Sequence, residues 1–200
     1  MAKIDKDAST EDKIKIAARK VFTQKGYAAT RTRDIAQEAG INLALLSYYF
    51  RSKEKLFAII MREKVQKLFG SIVPILVRQE TTLQEKIEHI VAEYTEILIE
   101  NPDLPLFVLS EIRNHPTQFL EMAPIQKVFR QSSFIHQIKA TNPAVVPIQF
   151  LMSLLGMILM PFVGMPVFKI ITGKNDKQYI KLIESRKKQV PIWAMSILSS

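Results

Sequence analysis

Apolar residues recur at helical spacing along most of this chain, and this periodicity is the strongest constraint on its fold. Ile14, Ala17, Ala18, Val21 and Phe22 are the first example, since they fall at positions i, i+3, i+4, i+7 and i+8. A helix turns by about 100° per residue, so these side chains form one stripe along a single helix face. No segment shows the alternation of a half-buried strand. The sequence therefore predicts an all-α fold.

Capping residues and helix breakers give the approximate helix boundaries. Ser9 or Thr10 can cap the first helix, and Gly26 can end it. Asn42 can cap the third helix and Ser52 the fourth, because a side-chain oxygen can accept from free amides of the first turn. The second and third helices are expected at 32–39 and 43–50. The later helices are expected at about 82–100, 103–114, 117–140, 144–161 and 176–198.

Composition narrows the class of protein. The chain has 200 residues, 48% of them hydrophobic, so it can bury a substantial core in one or two domains. It has no cysteine, which excludes disulfides and thiolate metal sites. The charged N-terminus lacks the apolar region of a signal peptide, so we expect a cytoplasmic protein. The net charge of +9, densest in the first quarter, favours a polyanionic partner.

Two short helices joined by a glycine turn have the outline of a helix-turn-helix, whose last helix enters the DNA major groove. The segment TRTRDIAQEAGINLALLSYYFRSKEKLF, residues 30–57, closely resembles the signature of the tetracycline-repressor (TetR) family of transcription regulators. The matching residues are Ile35, Ala36, Ala39, Gly40, Ile41, Leu46, Tyr49, Phe50, Ser52, Lys53, Glu54 and Leu56.

The resemblance covers about residues 10–60 and implies an architecture for the whole chain. A DNA-binding head at residues 8–55 would precede a larger helical body at residues 56–200, which dimerises and binds an effector. The function implied is that of a sequence-specific regulator, a ligand-released repressor that acts as a homodimer on palindromic, double-stranded operator DNA.

Helical phase divides the third helix into two arcs. The arc expected to face DNA contains Leu43, Ala44, Ser47 and Tyr48. The arc expected to pack contains Asn42, Leu45, Leu46, Tyr49 and Phe50. Tyr49 lies near the border, where its hydroxyl can reach a phosphate from a half-buried ring.

Polar readout by this helix is expected to be sparse. Leu43 and Ala44 can contact thymine methyl groups, whereas Arg33 on the second helix is the best candidate for bidentate guanine recognition. The alternative for Arg33 is a phosphate contact. The predicted DNA-binding residues are Thr32, Arg33, Asn42, Leu43, Ala44, Ser47, Tyr48, Tyr49 and Lys53.

Residues 144–168 contain no charged residue, and about 20 such residues can cross a bilayer. A membrane-associated helical protein is therefore an alternative interpretation. Pro147, Pro161 and Pro166 oppose it, as does the lack of a flanking aromatic belt. A helix buried between a pocket and a dimer partner has the same composition. We therefore expect no membrane association.

The last predicted helix has a seven-residue repeat suited to helix pairing across a two-fold axis. Pro191 predicts a kink or an early break in it. By resemblance, this helix and the one near 144–161 would form a four-helix dimer interface, although an intramolecular core is the alternative. The predicted interface residues are Leu151, Leu155, Ile183, Val190, Trp193 and Ile197.

Aromatic and methionine side chains in the body can line a pocket for a small, largely apolar effector, although any helical core contains such residues. The predicted pocket residues are Phe107, Phe119, Phe129, Phe134, Met152 and Met157. A helical enzyme is a further alternative. Glu111 and His115 have a spacing that can join two metal ligands, but no metal, phosphate-loop or nucleophile motif accompanies them. We expect no catalytic residue, metal or cofactor.

Overall fold

The computed structural model describes residues 9–121 and 125–199, and in these ranges the chain forms helices and no strand. The chain divides into two compact units, Met1–Lys64 and Val65–Ser200. The first residue of the predicted head, Ala8, lies outside the described residues. The N-terminal unit contains α1 (Thr10–Ala29), α2 (Thr32–Ala39), α3 (Leu43–Phe50) and the start of α4 (Lys53–Val77).

A small apolar core joins the helices of the N-terminal unit. The predicted stripe of α1 is buried, and Ile35 of α2, Leu46 of α3 and Leu56 of α4 are buried with it. Burying a side chain of this size stabilises a fold by about 1.5–3 kcal/mol, so this core can orient two short helices. Ser9 caps α1 as predicted, and the helical backbone of α1 is interrupted at Gly26, where φ is 74°.

The C-terminal unit contains the rest of α4 and eight more helices within the described ranges. They are α5 (Leu83–Glu100), α6 (Leu104–Asn114), α7 (Pro116–Glu121), α8 (Ile125–Gln131), α9 (Ser133–Thr141), α10 (Pro147–Val163), α11 (Met165–Thr172) and α12 (Asp176–Ser199). The long helix α12 packs against α5 and α10. Ile87 of α5, Leu154 of α10 and Ile183 of α12 are among the residues buried in this core.

Side chains of α12 satisfy backbone carbonyls of α10 near an internal proline. Pro161 has no N–H to donate to the Met157 carbonyl one turn earlier. Arg186 supplies the missing donor, since its Nη2 lies 2.9 Å from Met157 O. The Tyr179 hydroxyl donates to Pro161 O at 2.8 Å. These bonds fix α12 along α10 without an interruption of either helix.

Three features of the C-terminal unit differ from the sequence predictions. The single helix expected at 117–140 is wrong, because Ser132 adopts an extended backbone and its Oγ accepts from Ile135 N, which begins α9. The helix α11 was not among the predicted helices. Pro166 lies in its first turn, where an N–H has no helical partner. The helix α12 continues past Pro191 to Ser199, so the early break does not occur.

Candidate nucleic-acid interface and ligand cavity

A left-handed glycine separates α2 from α3. Gly40 has φ 68° and ψ 32°, a conformation that glycine adopts without steric penalty. Its N–H donates to Gln37 O at 3.2 Å, and Ile41 N–H donates to Ala36 O at 3.0 Å, which closes α2. Asn42 Oδ1 then accepts from Leu45 N at 2.8 Å and begins α3. These local bonds set the angle between the two helices.

The helix α3 has one buried and one exposed side. Leu46 and Phe50 are buried in the N-terminal unit, whereas Tyr48 is 79% exposed and Leu43 is 37% exposed. Ala44 and Ser47 lie on the same exposed side. A row of exposed apolar and aromatic side chains is an unfavourable surface in water unless another molecule covers it.

Tyr49 lies between the two sides of α3, at 40% exposure. Its ring meets the ring of Tyr48 edge to face, with centroids 5.5 Å apart and planes at 87°. This geometry is favourable for aromatic pairs. Tyr49 thereby supports the ring of Tyr48, and the exposed hydroxyl end of Tyr48 can still contact another molecule.

Arg51 follows α3 in a strained backbone conformation. Its φ is 59° and its ψ is −41°, and Ser52 N–H donates to Phe50 O at 2.6 Å, which forms a tight three-residue γ-turn. A non-glycine residue in such a region costs about 1–3 kcal/mol. The side chain of Arg51 is exposed. Arg51 is therefore a candidate DNA contact that the sequence predictions did not include. The signal available in the sequence was its positive charge, directly after the third predicted helix.

The start of α2 presents an uncommitted guanidinium. Arg33 is exposed, and no ion pair for it is found within residues 9–121 and 125–199. The neighbouring carboxylate of Asp34 is already engaged, because Arg31 N–H donates to it at 2.9 Å and Lys25 Nζ lies 3.2 Å away. The Arg31 backbone bond, aided by Lys25, holds the pKa of the Asp34 carboxyl below its ordinary value. Arg33 thus remains available for an external anion or base.

Lys53 serves the N-terminal unit itself. Its Nζ donates to Tyr27 O at 3.1 Å and to Thr30 O at 3.0 Å, and it lies 4.2 Å from the centroid of the Tyr27 ring. An ammonium has three donors, so at most one remains for a phosphate. Two donors of Lys53 thus tie α4 to the end of α1, and Lys53 as a DNA contact stays a prediction.

An apolar cavity of about 220 Å³ lies inside the C-terminal unit. The helix α4 contributes part of its wall through Val65, Leu68, Phe69, Ile72, Val73 and Leu76. Phe119, Phe129 and Phe134 also line it. The other three predicted pocket residues do not: Met152 is 66% exposed, Met157 borders a separate small void, and Phe107 is buried elsewhere.

The outward sides of α10 and α12 carry exposed apolar residues, which we call the outer face. Its members are Ile148, Met152 and Met160 of α10 with Ile192, Trp193 and Ile197 of α12. Gly156 lies in the same row of α10, between Met152 and Met160, and is exposed. Arg186 lies 5.1 Å from the centroid of the Trp193 ring and holds it by a cation–π contact.

The predicted dimer residues divide between the outer face and the interior. Trp193 and Ile197 are exposed as that prediction requires. Ile183 and Val190 are 1% exposed within the subunit, and Leu151 and Leu155 line the cavity. Ile183 and Val190 are therefore corrected to interior positions, whereas Leu151 and Leu155 have intermediate exposure and stay predicted interface residues. A seven-residue spacing identifies one helix side, but it does not tell whether that side packs within the subunit, as Ile183 and Val190 do, or stays exposed, as Ile197 does.

The helix-turn-helix segment is similar in sequence to known proteins. The sequence profile described as "Bacterial regulatory proteins, tetR family" matches residues 16–60. The HTH-type transcriptional repressor KstR2 of Mycolicibacterium smegmatis is 31% identical over 140 residues, which are 64% of this chain and 68% of that protein. The chain belongs to the TetR family. It is a DNA-binding transcriptional regulator with a helix-turn-helix and an all-α fold, as the resemblance implied.

Other TetR-family proteins extend the similarity beyond the helix-turn-helix. The HTH-type transcriptional regulator YttP of Bacillus subtilis is 27% identical over 164 residues, 77% of either chain. A TetR-family regulator from Mesorhizobium loti has a TM-score of 0.61 at 16% identity and covers 94% of this chain and 96% of its own. The fatty acid degradation regulator FadR from Bacillus halodurans has a TM-score of 0.58 at 18% identity, with coverage of 93% and 96%. These structures share the fold of this TetR-family chain.

Two alternatives from the sequence can be compared with the structure. In residues 9–121 and 125–199, no single helix has the length and apolarity to span a bilayer. The helices α10 and α11 meet that condition only as a pair, bent by 69°. In the same ranges, no group of three or more histidine, aspartate or glutamate side chains is placed to hold a metal. Glu111 is buried, whereas His115 beyond the end of α6 is exposed.

Replacing Lys53 with methionine should destabilise this TetR-family head. Tyr27 O and Thr30 O would lose their donor, and Thr30 is only 2% exposed, so the expected loss is about 1–3 kcal/mol in the free energy of unfolding. Urea unfolding followed by circular dichroism measures it. Lys55→Met is the matched control, because Lys55 is exposed and a surface change costs about 0.5 kcal/mol or less. Unchanged stability of K53M with reduced DNA affinity would instead make Lys53 a phosphate contact.

Proposed function

We propose that the exposed side of α3 enters the major groove of operator DNA, with Arg33 of α2 reading a guanine beside it. The observation that carries this proposal is the exposed row Leu43, Ala44, Ser47 and Tyr48 on a helix whose other side is buried. Leu43 and Ala44 suit thymine methyl groups, and Arg33 suits the two acceptors of guanine. Thr32, Asn42, Tyr48 and Tyr49 would hold phosphates and fix the register.

The direct test is selection of bound fragments from a genomic DNA library by the purified protein. We expect enrichment of a palindrome whose half-sites are about one helical turn, or a multiple of it, apart. Affinity for the selected site should fall as salt rises, because phosphate contacts release counterions. Failure of folded, ligand-free protein to enrich any palindrome would contradict the proposal.

Replacing Arg33 with alanine should relax specificity at one base pair of each half-site. A bidentate arginine–guanine contact contributes about 1–3 kcal/mol of discrimination. Wild-type protein should therefore bind the selected site about 5- to 150-fold better than a site with that guanine replaced, and R33A should bind both alike. Fluorescence anisotropy at fixed salt measures this, with Arg113→Ala in α6 as the control. If R33A weakened all sites equally, Arg33 would be a phosphate contact.

We also propose that the protein is a homodimer joined through the outer face. Six exposed apolar side chains on two neighbouring helices form a surface of the kind that a symmetric partner covers. The same surface on both copies would give a four-helix contact between two pairs of α10 and α12. A dimer would present two recognition helices, as a palindromic site requires.

The cavity is proposed as the site of an effector that releases DNA. The helix α4 begins with Lys53, which is bonded to the end of α1, and continues to residues that line the cavity. A ligand that prefers one position of α4 would shift the population toward that position. Release follows if that position places the two recognition helices at a spacing that does not fit the operator.

Reciprocity provides the test of ligand release. A compound that weakens operator affinity by a given factor must itself bind the DNA complex more weakly by the same factor. Both constants can be measured by anisotropy and calorimetry for one compound. If compounds bind in the cavity but leave operator affinity unchanged, the protein does not release DNA in response to a ligand in this cavity.

A further inference from the structure

The lining of the cavity has a distinctive chemistry. Its only polar side chains among the described residues are Tyr94 and Ser132, and the others that line it are apolar. Among residues 9–121 and 125–199, no lysine, arginine or histidine contributes to the wall. A carboxylate moved from water into such a cavity would lose its hydration without gaining a cation, which is strongly unfavourable.

The two polar side chains differ in what they already bind. Ser132 is 2% exposed, and its Oγ accepts from Ile135 N at the start of α9. Tyr94 has intermediate exposure, and for its hydroxyl no hydrogen bond is found among the described residues, although it is not one of the fully buried polar atoms that lack a partner. Burial raises the pKa of Tyr94 to about 12, so the phenol stays protonated and remains a donor at neutral pH.

Tyr179 shows what an ordinary buried tyrosine does in this fold. It is 2% exposed, and its hydroxyl donates to Pro161 O at 2.8 Å. Tyr94 has intermediate exposure, and no carbonyl partner of this kind is found for its hydroxyl among the described residues. The Tyr94 hydroxyl therefore lacks a structural role that the described residues account for.

We infer that the cavity holds a neutral, apolar effector, or the neutral apolar part of one, and that the Tyr94 hydroxyl donates to its single polar group. This inference rests on the proposed function, since it names the ligand class of the proposed effector site. A carbonyl, ether or hydroxyl oxygen fits the contact. A free carboxylate inside the cavity does not.

The volume of the cavity sets the size of suitable probes. A cavity of about 150 Å³ holds a benzene molecule, so one of about 220 Å³ holds about nine non-hydrogen atoms. Acetophenone, cumene and benzoate have the same number of non-hydrogen atoms and nearly the same shape. They differ in the group on the ring, which is a neutral carbonyl acceptor in acetophenone, an apolar branch in cumene and an anionic carboxylate in benzoate.

The experiment measures the Kd of each probe by ligand-observed NMR titration at pH 7.5, with wild-type protein, Tyr94→Phe and Tyr179→Phe. We expect acetophenone and cumene to bind wild-type protein and benzoate to bind at least about tenfold more weakly. Tyr94→Phe should weaken acetophenone by about fivefold and leave cumene unchanged. Tyr179→Phe should leave the ratio of the two constants unchanged.

The possible failures separate the two proposals. Benzoate binding as tightly as acetophenone, or equal effects of Tyr94→Phe on acetophenone and cumene, would overturn the inference and leave the cavity as a ligand site. If none of the three bound, the cavity itself would be excluded as a site for small apolar ligands, and the effector proposal would fail with it.

Thermal unfolding without ligand provides a second measurement. Tyr94→Phe should keep or raise the melting temperature, since it removes a hydroxyl without a partner. Tyr179→Phe should lower it by about 2–4 °C, since Pro161 O loses its donor. A loss of stability in Tyr94→Phe as large as in Tyr179→Phe would show that the Tyr94 hydroxyl has a structural partner and would contradict the inference.

Discussion

Replacing Ser47 with glutamate should abolish operator binding and leave the fold intact. Ser47 is exposed in the middle of the proposed groove side of α3. A carboxylate there would face phosphates and the acceptor atoms of base edges, and a dimer would place two of them on each operator. Juxtaposed like charges cost several kcal/mol, so affinity should fall at least about 100-fold. Fluorescence anisotropy with the selected operator measures the loss.

Two control variants show whether the loss of operator affinity depends on the position of the substitution or only on the added charge. Ser47→Ala should keep operator affinity within about threefold, because the hydroxyl is not required for the apolar contacts proposed here. Gln66→Glu adds the same charge on an exposed position of α4 in the C-terminal unit and should have a similarly small effect. If S47E bound the operator within tenfold of wild type, the exposed side of α3 would not be the groove-facing side.

Replacing Gly156 with leucine should dissociate the proposed dimer. A Cβ at Gly156 would meet no atom within 4 Å, so the subunit itself has room for a larger side chain. Gly156 is also helical and exposed, so leucine raises helix propensity there by about 0.5–1 kcal/mol. A partner helix packed on this row would be displaced, at a cost of about 1–3 kcal/mol for each copy. The dimer Kd should rise by about two orders of magnitude.

Sedimentation velocity across a range of protein concentrations measures this change, and operator affinity should fall with it. Gly70→Leu is the matched control, since Gly70 is an exposed glycine inside α4 and a Cβ there also meets no atom within 4 Å. It should keep the dimer and melt at the same or a higher temperature. An unchanged dimer Kd in G156L would place the interface elsewhere on the molecule.

The helix-turn-helix could be predicted from the sequence because local interactions determine it. The ends of α2 and α3 depend on Gly40 and Asn42, whose bonds reach residues only three to five positions away. The buried side of α3 could be predicted from the length of the helix and from two strongly apolar positions, Leu46 and Phe50. Fold class and family were predictable for the same reason.

Long-range contacts account for what the sequence did not predict. The two hydrogen bonds of Lys53 were not predicted, because its carbonyl partners are 23 and 26 residues away in the chain. Ile183 and Val190 were assigned to the dimer by their spacing, which does not tell whether the neighbour belongs to the same subunit. The cavity depends on voids left by several helices, so Phe119 could not be distinguished from Phe107 before the packing was known.

The limited volume of the cavity sets the energy available for the proposed regulation by an effector. About nine ligand atoms, at about 0.3–1.5 kcal/mol each, can contribute roughly 3–13 kcal/mol of binding free energy. A hundredfold drop in operator affinity requires a difference of about 2.7 kcal/mol between the two positions of α4. At the low end of that range, nearly all of the binding free energy of the ligand would have to be lost when α4 takes the position that fits DNA. A weakly bound inducer can therefore act only if the cavity is almost closed to it in the DNA-bound form.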